Sequence, residues 1–444
     1  MPATDTIVAL ATPPGRSALA LIRLSGPQAL ELAATLAAPR PLPPRRAVHA
    51  VLKLDGKMLD DAVVTCWPGP GSYTGEDTAE ICCHGNPLIV ESLMEACCRL
   101  GARVARGGEF TERAFLNGRM DLTQAEAVMD LIQAGSERAL RAARALQDGH
   151  LGKSVRAMVE ELLQLLAHLE AHIDFPEEDI DPQTGAAFLQ GIDNLSAHLE
   201  SLLETAPEGR HLREGFQVVL CGAPNAGKSS LLNALLQRDR AIVSPVPGTT
   251  RDTIEETITL GGMCVRLVDT AGLRPDADAV EQLGIARTHE ALAAADLVLH
   301  LVDPLDPQPQ PQTQLLEDTG SAPVLHLRSK CDLHPGPLPE EWLAVSAKTG
   351  HGLDALRQRI ASHLRMDETS GGLDALAINS RHEALLARAR DALLAAREGQ
   401  STGRPPELVS SDLRLALQSL SEITGRVTNE HILDRLFKNF CIGK

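Results

Sequence analysis

Aromatic residues are nearly missing from this chain: its 444 residues include two Trp, one Tyr and seven Phe. Single-stranded nucleic acid is commonly held by stacking its bases on aromatic rings, so a stacking platform is not expected. Apolar residues still make up 43% of the chain. The core must therefore be built from Ala, Leu and Val, which suits helices and a buried parallel sheet. Lysine is scarce too. Only Lys53, Lys57, Lys153, Lys228, Lys330, Lys348, Lys438 and Lys444 occur, against 34 arginines. Each retained lysine raises the question of whether a planar guanidinium would fail where a compact ammonium serves. No Cys-x-x-Cys spacing appears among the nine cysteines. That speaks against a zinc knuckle or a thioredoxin-type pair and for reduced, packed thiols in a cytoplasmic protein. No apolar run approaches the ~18 residues of a membrane helix, so no membrane association is expected. Asp5 before the first apolar run and Pro13-Pro14-Gly15 after it make a poor signal peptide. Gly443 and Lys444 do not suit prenylation of Cys441.

What is present is organised unevenly. The length suggests two to three domains. The formal charge is −17, which argues against a nucleic-acid-binding surface spread over the whole molecule. Residues 1–120 are neutral overall, 121–213 carry −10, 214–369 carry −8 and 370–444 carry +1. Short apolar runs at 18–24, 62–66 and 79–82, with a helix expected over 88–100, read as a small α/β domain. Helical patterning covers 123–146. Val155, Met158, Val159, Leu162, Leu163, Leu166 and Leu169 then form one apolar stripe of an amphipathic helix. The acidic run 174–181 reads as a solvated loop, and a further helix is expected over 186–204. From 216 to about 364, short β-like runs at 216–220, 265–268, 297–302, 324–327 and 343–345 alternate with helices, the pattern of a parallel sheet wrapped by helices. Residues 304–313 read as a loop and 366–372 as a linker. Helix follows to the end. The expected domains are 1–119, 120–213, 214–368 and 369–444.

The strongest local signal is Gly222-Ala223-Pro224-Asn225-Ala226-Gly227-Lys228-Ser229, which matches Gly-x4-Gly-Lys-Ser/Thr after an expected strand. A chain of this composition should produce such a match by chance about 0.005 times. Backbone N–H groups of this loop surround phosphate oxygens, helped by the N-terminus of the helix that follows. Lys228 would reach the β/γ-phosphates and the Ser229 hydroxyl would bind Mg²⁺. Thr250, in Pro247-Gly248-Thr249-Thr250, is the candidate switch ligand to Mg²⁺. Asp269-Thr270-Ala271-Gly272 closes a strand, placing one carboxylate for the ion and one N–H for the γ-phosphate. Ser329-Lys330-Cys331-Asp332 follows another strand, and a carboxylate there accepts both N1–H and N2–H of guanine, a pattern adenine does not offer. Ser346-Ala347-Lys348 follows a third strand, where a backbone N–H reaches guanine O6. Ligands of open α/β sheets bind at the carboxyl ends of strands, so GTP is preferred over ATP. The expected nucleotide contacts also include Ser230, Ser244, Pro245 and Val246.

Two positions depart from the usual GTPase pattern. Ser329 stands where an Asn normally contacts the base and braces the phosphate loop. Leu273 stands where a Ras-like enzyme carries its water-orienting Gln. Glu281 and Glu290 are the nearest candidate glutamates downstream. On sequence alone, either also fits as a surface helix residue.

Strings spread over the whole length carry a resemblance. They include Asp5-Thr6-Ile7-Val8-Ala9, Ile22-Arg23-Leu24-Ser25-Gly26, Gly71-Ser72-Tyr73-Thr74-Gly75-Glu76-Asp77, Gly108-Glu109-Phe110-Thr111-Glu112-Arg113, Leu420-Ser421-Glu422-Ile423-Thr424-Gly425 and Phe440-Cys441-Ile442-Gly443-Lys444. Together with the nucleotide motifs, the chain resembles the MnmE (TrmE) family of tRNA-modification GTPases. The resemblance implies an α/β P-loop GTPase domain inserted into an all-α domain. An α/β (α+β) folate-binding and dimerising domain would precede it. It implies that Arg23, Glu80, Arg119 and Lys444 contact a 5-formyl- or methylene-tetrahydrofolate. Ion pairing or a helix-start position accounts for the first three equally simply. It further implies a potassium ion held by Asn225, Ser244, Val246 and Thr249, and Glu281 as the carboxylate that orients water, with Lys228 and Thr250 completing the catalytic set. The implied partners are GTP, tRNA, a second copy of the chain and an MnmG-like flavoprotein carrying FAD. Cys441 is a candidate reactive thiol, though a packed tail cysteine fits as well. Ser17-Ala18 after Gly15-Arg16, and Asn86 after His84-Gly85, depart from the family's pattern in the folate domain. The other reading is a regulatory or ribosome-assembly GTPase whose flanking domains only bind.

Overall fold

A computed structural model describes residues 5–38, 41–174, 186–239, 255–269, 289–304, 322–334, 336–364 and 378–426, together with Leu433, Leu436, Phe437, Phe440 and Gly443. Within these, the chain divides into two compact units. One comprises residues 1–129, 151–191 and 395–444, the other 130–150 and 192–394.

The first unit opens with a seven-stranded sheet. Its strands are β1 (Thr6–Leu10), β2 (Ser17–Ser25), β3 (Ala37–Ala38), β4 (Val48–Leu54), β5 (Lys57–Trp67), β6 (Thr78–Gly85) and β7 (Ala102–Val104). They lie in the order β3-β4-β5-β6-β2-β1-β7 and are antiparallel except for the β1–β7 pair. Helices α1 (Ala29–Leu36) and α2 (Pro87–Arg99) cover it. The core between them uses Val8, Ile22, Leu24, Leu52, Val64, Ile81 and Leu93, with small Ala and Cys residues filling the gaps and no aromatic ring. This is the packing that the composition requires. Helix α3 (Glu109–Leu116) follows, with Phe110 buried against Ile7, Ala9 and Ala105.

The helical part runs through α4 (Leu122–Gln133), α5 (Glu137–Gln147), α6 (His150–Asp174), α7 (Ala186–Glu204) and α8 (Ala206–Glu214). The stripe expected on α6 is buried at Val155, Met158, Val159, Leu162, Leu166 and Leu169, while Leu163 is exposed.

In the second unit, β8 (Phe216–Gly222), α9 (Lys228–Asp239), β9 (Glu255–Leu260), β10 (Met263–Asp269), β11 (Leu297–Val302), β12 (Val324–Arg328), β13 (Leu343–Ala344) and α10 (Leu353–His363) form an α/β domain. Its sheet has the order β13-β12-β11-β8-β10-β9. All neighbours are parallel except the edge strand β9. Helices α11 (Ser380–Ser401) and α12 (Pro406–Thr424) complete the helical part. The α/β domain is therefore inserted between helices, as expected. Of the loops expected at 304–313 and 174–181, all but Pro304 and Asp174 lie outside the described residues, as does the linker at 366–372, and Asp174 is the last residue of α6.

Candidate functional site

Five parallel strands of the second unit end on one edge of the sheet, and that edge carries the motifs. The loop after β8 reverses direction through left-handed backbone at Asn225 (φ 64°) and Gly227 (φ 98°). At its foot Gly222 admits no side chain, because a Cβ there would stand 2.4 Å from the carbonyl oxygen of Leu301 on β11. Lys228, the first residue of α9, is buried, and its ammonium donates to the carbonyls of Gly222 (2.8 Å) and Ala223 (2.9 Å). A point-like ammonium serves two converging carbonyls where a planar fork would not. The next residue, Ser229, donates its hydroxyl to Asp269 Oδ2 at 2.8 Å. Asp269 is buried at the end of β10, opposite Leu220 of β8. A hydroxyl and a buried carboxylate at a helix start form a hard oxygen pair, the donor set that suits Mg²⁺. Ala226 is buried; Asn225, Ser229 and Ser230 are exposed.

The guanine motifs stand two and three strands away. Ser329 N–H donates to Val302 O (3.0 Å) and its hydroxyl points to the same oxygen (3.3 Å). Asp332 is exposed, and a hydrogen bond from Ser346 holds its carboxyl below the ordinary value. Ser346 is buried and its hydroxyl also accepts the Thr349 N–H at 3.2 Å. Ala347 is half-buried and Lys348 exposed beside them. The structure thus brings Lys228, Ser229 and Asp269 together at one end, and Ser329, Asp332 and Ser346 at the other. Ser244, Pro245, Val246, Pro247, Gly248, Thr249, Thr250, Thr270, Ala271, Gly272 and Glu281 lie outside the described residues, as do Cys441 and Lys444.

In the first unit, Arg23 of β2 and Glu80 of β6 are directly opposite one another across the antiparallel ladder. They form an ion pair of 2.9–3.0 Å, mostly buried. Arg23 also donates to the Gly443 carbonyl at 3.2 Å, so the far end of the chain returns to this point. Gly443 has φ 96° and packs so close to Leu10 and Ala11 that a Cβ would stand 2.6 Å from Leu10 O. Sequence reasoning missed two partners here: the Arg23 guanidinium lies over the rings of Tyr73 (5.6 Å) and Phe110 (5.8 Å). The signal was available in Tyr73, the chain's sole tyrosine. A cationic Arg beside aromatic faces and a carboxylate can hold a flat, hydrogen-bonding heterocycle with an acidic tail. The cross-strand pair is also sufficient structural reason for both charges. Arg119 is exposed, with its stem beside Gly75.

A second cluster, also missed as a unit, lies behind Tyr73. Arg113 binds Asp5 Oδ1 (2.8 Å), Glu76 Oε2 (3.2 Å) and Glu109 Oε1 (3.0 Å). Arg103 pairs with Asp5 and Glu109 as well. Ser25 Oγ joins through Glu76 and Thr74, each at 2.7 Å. Four of the strings quoted for the family resemblance therefore meet in one ion network.

Comparison with known proteins gives a consistent picture. Residues 6–119 match the family model "GTP-binding protein TrmE N-terminus", and residues 122–441 match "MnmE helical domain". Among curated proteins, the tRNA modification GTPase MnmE of Akkermansia muciniphila is 46% identical over 99% of both chains. That of Methylorubrum populi is 47% identical over 99% of this chain and 98% of its own. That of Opitutus terrae is 45% identical over the full length of both. Of solved structures, the G domain of the T. maritima FeoB iron transporter aligns at 26% identity with a TM-score of 0.26, covering 33% of this chain and 98% of that one.

Proposed function

Because the chain belongs to the MnmE family and is a tRNA modification GTPase, we propose that it couples potassium-stimulated GTP hydrolysis to modification of the wobble uridine. The group installed at C5 is carboxymethylaminomethyl or aminomethyl. The chain acts as a homodimer in the cytoplasm, in a hetero-oligomer with a flavoprotein that carries FAD. Its domains are taken as 1–119, 120–213, 214–368 and 369–444. Among the described residues, no helix is long and apolar enough to cross a membrane.

In this reading Lys228 holds the β/γ-phosphates, Ser229 and Thr250 hold Mg²⁺, and Glu281 orients the attacking water. Asn225, Ser244, Val246 and Thr249 hold K⁺ in place of an arginine finger. The two cations, when bound, offset charge developing on the transferring phosphoryl group. Asp332, Ser346 and the Ala347 N–H select guanine. Arg23, Glu80, Arg119 and Lys444 hold the tetrahydrofolate, whose acidic tail suits the cationic groups. Hydrolysis drives opening and closing of the GTPase domains rather than the carbon chemistry.

The observation that carries the reading is the common strand edge on which the phosphate and guanine motifs stand, at the ends of β8, β10, β12 and β13. GTP turnover in KCl should exceed turnover in NaCl of equal ionic strength, and equal rates would remove the potassium site. Mass spectrometry of tRNA nucleosides from a deletion strain should show unmodified wobble uridine. A complete complement of the modified nucleoside would sink the substrate assignment.

A further inference from the structure

We propose that Asp303 positions the guanine loop, acting through Lys330. The serine at 329 creates the need. A GTPase with Asn at that place ties its guanine loop to its phosphate loop, whereas the shorter Ser329 hydroxyl here turns to Val302 O on the neighbouring strand. Something else must fix the loop. β11 and β12 run parallel with Val302 opposite Arg328, and the Ser329 N–H adds one further rung to Val302 O. Directly beyond that rung, Lys330 adopts φ 52°. A residue with a Cβ holds such left-handed backbone only where its surroundings impose it.

The surroundings are visible. The Lys330 ammonium reaches across to Asp303 Oδ2 at 2.7 Å, one residue past Val302. The Asp303 side chain is 13% exposed and that of Lys330 36%, so the pair is better sheltered than most surface bridges. It closes a ring between the two strand ends, Val302-Asp303 on one and Ser329-Lys330 on the other. On the far side Cys331 N–H donates to Val345 O at 3.3 Å, next to Ser346. The reversal that presents Asp332 is thereby pinned from both flanks. Lys330 suits this task because one ammonium meets one carboxylate oxygen at the end of a flexible stem. Asp303 is a positioning residue: it acts on the base through the backbone that Lys330 holds.

The test is nucleotide kinetics on the full chain. Asp303→Asn keeps the shape and removes the charge. Release of a fluorescent GDP should become roughly fivefold faster, the upper range for a partly exposed pair. KM for GTP should rise by a similar factor with kcat at saturation unchanged. Asp303→Glu, which keeps the charge, should recover most of the loss. Adding Ser329→Asn to the Asp303→Asn chain should recover it by restoring the alternative brace. Asp303→Ser, read by the same constants, stands in if the Asn variant does not fold. A wild-type GDP release rate in the charge-removed variant, or a loss confined to kcat, would overturn the proposal.

Discussion

Charge inside an apolar sheet domain has to be matched group by group, and Glu109 is the sharpest case. Its side chain is 3% exposed. Burial alone pushes its carboxyl up; the Arg103 hydrogen bond, the Arg106 N–H and Arg113 more than reverse this and hold it at about 2. The folded value lies below the usual 4.5, so the network stabilises the fold above pH 4.5. That contribution is lost as the pH falls toward 2. The interval from 4.5 to about 2 corresponds to on the order of 3 kcal/mol at neutral pH. Glu109→Gln should therefore lower the urea midpoint at pH 7 and flatten its fall below pH 4.5, followed by the absorbance of Tyr73. Parallel pH curves for the variant and the natural chain would take Glu109 out of the account. Arginine suits both cationic positions because each guanidinium meets more than one carboxylate, which a single ammonium cannot span.

At the scale of elements, one departure from the family's pattern has a local cause. Asn86, where the family has Gly, is the N-cap of α2: its side chain accepts the Leu88 N–H at 3.0 Å, with Pro87 at the first helical position. Asn86→Ala should cost about 1 kcal/mol by chemical denaturation and Asn86→Gly only a few tenths. Equal losses for the two would mean that the cap bond does not matter. The other departure, Ser17, faces Gly85 across the ladder, where any Cβ on Gly85 would stand 2.1 Å from the Ser17 hydroxyl. The serine and the glycine are fitted to one another. The same scale explains what could be read in advance. Helix α7 was expected over 186–204 and spans Ala186–Glu204, because its apolar period is long and uninterrupted. The strands β8, β10, β11 and β12 were legible as dense apolar runs, since a parallel sheet buries both faces. Strands β4 and β7 were not, because β4 alternates with exposed His49 and Lys53 and β7 has three residues. Helix α3 is hard to read from its pattern, because it turns Glu109, Thr111 and Arg113 inward alongside Phe110 and Ala114 while Leu116 is exposed. The phosphate loop was legible because its glycines and its lysine act within eight residues. The Lys330–Asp303 pair was not, because it depends on β11 lying beside β12 across 27 positions of sequence.

At the scale of the whole molecule, the formal charge of −17 sets the terms on which a polyanion can be met. Residues 121–213 and 214–369 carry −10 and −8, whereas 1–120 and 370–444 are near neutral. The net charge therefore offers no overall attraction for tRNA, and with ten aromatic residues in the chain stacking offers little in its place. If the wobble uridine is the substrate, its tRNA must be gripped through few phosphates on the near-neutral segments or chiefly by the proposed flavoprotein partner. Salt titration separates these cases, because each neutralised phosphate steepens the fall of log K with log salt by about 0.7 to 0.9. The chain alone should bind tRNA weakly with a slope no steeper than about −3, and adding the partner should raise affinity and steepen the slope. Anisotropy of labelled tRNA over a potassium chloride series measures both. A slope near −8 for the chain alone would require a concentrated basic surface, and the charge argument would then fail.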